Sequence, residues 1–92
     1  MLSAVDPLGR TVRLTADRWE HIIDGHPEMG GLHAELLRAI REPSELLHSP
    51  RVGEDWYYLQ GAGPSRWLKV VVAFDENNDG SVLTAFPRRR KP

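Results

Sequence analysis

The sequence predicts an α+β fold in which two N-terminal helices pack on one face of a four-stranded antiparallel sheet, with a short extra strand before the helices as an option. Three observations lead there. Apolar residues recur at helical spacing only in the first half of the chain, β-branched and aromatic runs fill the second half, and the polar turn Asp75-Glu76-Asn77-Asn78-Asp79-Gly80 joins the last two runs as a hairpin.

Asp6, Pro7 and Gly9 read as a turn, and Thr11 to Thr15 then alternates with Val12 and Leu14 on one face, as a short half-buried strand does. Thr15 followed by Asp17 is a helix start, and Trp19, Ile22 and Ile23 share a face of that helix. Gly25 supplies a left-handed stop, and Pro27 disfavours helix at His26. Leu32, Leu36, Leu37 and Ile40 mark a second helix, which Pro43 ends. Glu45 to His48 fits a short strand. Asp55 to Gln60 is a strand by its aromatic density, and Gly61, Gly63 and Pro64 turn it. Trp67 to Asp75 and Ser81 to Pro87 complete the sheet.

With 92 residues the chain reads as one domain over residues 1–92, with a basic tail at 88–92. It has no cysteine, which excludes disulfides, thiolate metal sites and thiol nucleophiles. The longest apolar run, Val70 to Phe74, is far too short for a membrane span, and the N-terminus lacks a signal-peptide pattern, so a cytoplasmic location is expected. The net charge of −1 hides an asymmetry: without Arg88, Arg89, Arg90 and Lys91, eight basic side chains face thirteen acidic ones. Such a body does not suit phosphate binding over the whole surface, but a local basic edge does.

Three of the four histidines lie between His21 and His33. His21, His26, Glu28 and His33 match no established metal-ligand spacing, so no metal is expected. His21 lies about 200° around the helix from Trp19 and faces solvent, and His33 falls in the apolar arc of the second helix. His26, fixed between Gly25 and Pro27, fits two roles: a pre-positioned general acid or base, or a helix stop whose imidazole caps the last carbonyls. Lys69 sits in an apolar strand on the face of Trp67 and Val71, either snorkelling at a sheet edge or pointing into a site. Thr84 shares a face with Val82 and Phe86, and the hairpin brings Lys69 close to the stretch 84–86, with Arg88 leaving at the same end. A histidine, two cations and a hydroxyl fit phosphodiester chemistry without metal. Trp56, Tyr57 and Tyr58 offer stacking faces for bases, or core.

The run R-W-E-H-I-I-D-G-H-P-E, the helix ending at Pro43 and the strands K-V-V-V-A-F and V-L-T-A-F-P resemble the barnase, EndoU, colicin and RelE-like (BECR) nuclease superfamily, most of all its small phage and toxin-type members. The resemblance covers Val12 to about Arg88. It implies cleavage of RNA through the 2′-hydroxyl, with no metal and no cofactor. His26 is then the acid or base, Lys69 and Arg88 bind phosphate, and Thr84 orients it. Arg89, Arg90 and Tyr58 would bind RNA, and an antitoxin protein would be the partner. RelE-like toxins are strongly basic, whereas this body is acidic, which suits a tRNA-like or other small RNA. The alternative is a non-catalytic module that binds protein or nucleic acid in a toxin-antitoxin or phage-related system.

Overall fold

Nine short elements build the protein, seen in a computed structural model that describes residues 1–90; Lys91 of the basic tail lies outside the described residues. They are β1 (Leu2–Val5), β2 (Thr11–Leu14), α1 (Ala16–Gly25), a 3-10 turn (Pro27–Met29), α2 (His33–Arg41), β3 (Glu45–His48), β4 (Glu54–Gln60), β5 (Trp67–Phe74) and β6 (Gly80–Arg88). The sheet has six strands in the order β1-β2-β6-β5-β4-β3. Every pair is antiparallel except β2 and β6, which run parallel through Val12 with Gly80 and Arg13 with Ser81.

This corrects the expected four-stranded antiparallel sheet in two ways. Residues 2–5 form an additional strand paired with β2, and that hairpin joins the rest through a parallel contact. Gly80 makes the junction possible. A Cβ there would come within 2.7 Å of Phe74 Cε1 and 3.0 Å of both Val12 Cγ2 and Val72 Cγ1. Gly80→Ala is therefore expected to cost about 1–3 kcal/mol by overpacking, measured by urea denaturation; an unchanged midpoint would mean the strands part freely.

Helix α1 starts as the sequence predicts: Thr15 Oγ1 accepts from the Arg18 N–H at 3.2 Å. Its end differs from expectation. Gly25 is the last helical residue and is not left-handed. The helix stops because His26 takes φ −140° and ψ 77°, outside the helical region that is disfavoured before proline, while its N–H still donates to the Ile22 carbonyl at 2.7 Å. Pro27 opens the 3-10 turn, whose Met29 is fully buried. His26 is thereby held between a helix end and a buried anchor.

Ile22, Met29, Leu36, Ala39 and Ile40 pack against Tyr57, Leu59, Leu68, Val70, Val72, Val82 and Ala85 of the sheet. Side chains alternate along strands, so the register places Trp56, Tyr58, Trp67, Lys69, Val71, Thr84, Phe86 and Arg88 on the opposite face. A bulge interrupts the alternation. Val71 pairs with Thr84 and Val72 with Val82, so Leu83 is an extra residue in β6. Val82 consequently joins the core while Thr84 and Phe86 face away from it, which corrects the expectation that all three share a face.

The sheet is strongly curled. Four strand spacings of about 4.8 Å separate β1 from β4, about 19 Å in a flat sheet. Yet the Tyr57 hydroxyl on β4 donates to Asp6 Oδ2 just after β1 at 2.7 Å. The β1–β2 hairpin thus folds back over the helix side and closes the core.

Candidate functional site

Lys69 lies at the middle of the face turned away from the core. It is 5% exposed, on an inner strand with Tyr58 beside it in β4 and Phe86 in β6. Its ammonium sits 3.5 Å from the Trp56 ring centroid, 5.7 Å from Tyr58 and 5.8 Å from Phe86. This is a desolvated cation held by aromatic faces, not a lysine snorkelling at a sheet edge. Burial pulls its pKa below the usual lysine range, and Arg88 adds to this, against the opposing charge of Glu54.

Phe86 is the hub of the cluster. The His26 imidazole, arriving from the end of α1, stacks on it at 5.2 Å with an interplanar angle of 26°. The Arg88 guanidinium lies 6.0 Å from the same ring. His26 Nδ1 is 3.8 Å from Glu28 Oε1, and its side chain is 39% exposed, so the imidazole is anchored and still open to solvent. Tyr58 is fully buried with its ring edge against Trp67 at 6.2 Å, and its hydroxyl has no hydrogen-bond partner among the described residues. Burial raises the pKa of that hydroxyl, opposed by Arg88. Thr84, half-buried, lies one pair along the ladder from Lys69 and Phe86 on the same face.

His26, Lys69 and Arg88 are therefore grouped around one ring, with Tyr58 on the other side of Lys69 and Thr84 beside them. Arg89 and Arg90 are not part of the group; they line a separate cleft with Pro64, Ser65 and Arg66. His21 is exposed, and His33 is also exposed rather than in the core, with its ring edge-on to Trp19 at 5.7 Å. Among the described residues no three of His, Cys, Asp and Glu are grouped to hold a metal ion, and no helix is long and apolar enough to cross a membrane.

Sequence reasoning missed two features. The first is Phe86 as the common partner of histidine and cations; the hairpin register, which pairs it with Lys69, was the available signal. The second is a polar network inside the fold. Arg10 donates to Asp6 Oδ2 at 2.9 Å, to Asp55 Oδ2 at 2.8 Å and to the Tyr57 hydroxyl at 3.2 Å, and its guanidinium lies 3.8 Å from the Phe74 ring centroid. Asp55 Oδ1 in turn lies 2.7 Å from Nδ1 of the exposed His48. Burial alone would raise the Asp6 carboxyl, but the Tyr57 hydroxyl and Arg10 together hold it below 3.8. Burial and the bond to Asp6 push the Tyr57 hydroxyl far above its ordinary value. This network ties the β1–β2 turn to β4.

No family model, curated protein or solved structure matches the chain.

Proposed function

We propose that this chain is a metal-independent endoribonuclease of the toxin type, acting on RNA in the cytoplasm and neutralised by a protein partner. The observation that carries the reading is the convergence of His26, Lys69 and Arg88 on Phe86. An imidazole beside two cations suits transesterification. A base takes the proton of the ribose 2′-hydroxyl, the 2′-oxygen bonds to phosphorus, and the 5′-oxygen leaves with a proton, giving a 2′,3′-cyclic phosphate. His26 moves the proton. Lys69 and Arg88 stabilise the charge that builds on the non-bridging oxygens, and desolvation strengthens that effect for Lys69. Thr84 adds a donor, while the half-buried rings of Trp56, Trp67 and Phe86 offer stacking faces for bases.

One observation favours a second reading, a nucleic-acid-binding module without catalysis: the Lys69 ammonium rests on Trp56 at 3.5 Å. The test incubates purified protein with total RNA in EDTA and reads the new 3′ ends. Cyclic phosphates from wild type, with strong loss in Lys69→Met, which keeps the apolar stem and removes the charge, are expected. Binding without new ends would favour the module. Neither binding nor cleavage would defeat both readings.

A further inference from the structure

We infer that the arginine-lined cleft between the β4–β5 turn and the end of β6 is a second phosphate subsite, which extends the proposed nuclease site along the backbone of a single-stranded RNA several nucleotides long; this rests on the RNA reading above. The cleft, about 410 Å³, is lined by Pro64, Ser65, Arg66, Arg89 and Arg90. All three arginines are exposed, and none has a carboxylate within ion-pair distance among the described residues. Three like charges around one depression repel one another until an anion enters.

The sequence isolates this charge. Residues 60–74 and 80–92 carry six of the twelve basic residues and none of the thirteen acids, so positive potential gathers at one end of an otherwise acidic body. The backbone holding Arg66 is fixed. Gly61 and Gly63 are left-handed at φ +78° and +81°, the Gly61 N–H donates to the Arg66 carbonyl at 2.9 Å, and Ala62 is buried in the core. Because Trp67 pairs with Arg88, Arg66 stands next to Arg89 just past the end of the ladder.

The separation sets the ligand class. Arg89 lies three residues beyond Phe86, about 10 Å along a strand, so one phosphate does not serve both groups. A dinucleoside monophosphate has a single phosphate and fills only the site around Lys69. A longer single strand reaches the cleft as well, with phosphates at both places. This gives Arg66 a role that its isolated place in the sequence did not suggest.

The experiment compares wild type with the triple variant Arg66→Gln, Arg89→Gln, Arg90→Gln on a dinucleoside monophosphate and a hexanucleotide RNA. In wild type kcat/KM is expected to rise at least about tenfold from the shorter to the longer substrate, chiefly through KM, and the triple variant is expected to lose most of that ratio. Equal ratios would overturn the subsite. Fluorescence anisotropy with a labelled hexanucleotide gives an answer independent of cleavage. At about 0.7 per phosphate on a single strand, the slope of log affinity against log salt should fall by about 0.7, one phosphate's share, in the variant. If wild type binds but does not cleave, a reduced slope still supports the cleft while the nuclease reading fails. An unchanged slope, or no RNA binding by wild type, overturns the cleft and leaves it to an acidic protein partner.

Discussion

His26→Ala is expected to lower RNA cleavage in EDTA by about 10²- to 10⁴-fold, the usual contribution of a positioned general acid or base. The imidazole stacks on the hub ring, and its position at the junction of α1 and the 3-10 turn holds it there from the helix side. The side chain is 39% exposed and packs on one face of Phe86, so its loss should leave the fold in place, with little change in thermal midpoint. A purely structural role would give the reverse pattern, a lower midpoint and cleavage restored once the variant is folded at low temperature. The pH dependence of the rate adds a separate readout. If His26 moves the proton, the variant loses the limb of the profile that the imidazole supplies, whereas a change in RNA affinity scales the profile without altering its shape. Cleavage equal to wild type would remove His26 from the mechanism.

Arg10→Met should destabilise the fold by about 3–5 kcal/mol at pH 7, the cost of breaking a buried ion-pair network by removing one partner. Two buried carboxylates, Asp6 and Asp55, would lose their common cation, and the guanidinium would no longer cover Phe74. The dependence on pH separates these causes. The Asp6 carboxyl in the native state is held below 3.8, so its contribution is present above the unfolded carboxylate range of about 3.9 and is lost as pH falls through the lower native value. Wild type therefore weakens below about pH 4. In the variant Asp6 has no cation at neutral pH and Asp55 keeps only His48, so protonation of Asp6 relieves it and the gap from wild type should shrink between pH 7 and pH 4. Urea titrations at the two pH values measure this. A gap that stays constant would assign the loss to packing against Phe74 instead.

Much of the fold was legible because the signals were local. Thr15 as a cap, Pro43 as a stop, and the turn from Asp75 to Gly80 all act through neighbours a few residues away, and the helices and the strands from β2 to β6 lie close to where those residues put them. Strand β1 gives little local signal. It has four residues, and only Ala4 is buried, so no alternation separates it from a loop. The parallel contact of β2 with β6 joins Val12 to Gly80, a pairing that follows from chain closure and not from either segment alone. The stop at Gly25 was located correctly for an incomplete reason, since the proline two residues later sets the backbone of His26 and the glycine needs no left-handed turn.

The candidate site divides the same way. Lys69 and Phe86 are brought together by the hairpin register, which the turn made readable. The stacking of His26 on Phe86 depends on how α1 lies against the sheet, and the Arg10 to Asp55 bond spans 45 residues and a curled sheet. Arg89 and Arg90 were grouped with Arg88 by sequence, yet β6 ends with Arg88 on the aromatic face, and the next two, past the strand, line the cleft beside Arg66.

The extra residue at Leu83 has a consequence for how this chain can vary. Before it β6 serves the core through Val82, and after it the strand serves Thr84, Phe86 and Arg88 on the other side, with Ala85 returning inward. A change of one residue in length between these halves would exchange the two sets, sending Phe86 and Arg88 inward and Ala85 outward. The length of β6 is locked, because the interior and the proposed chemistry are read from the same strand in opposite phase.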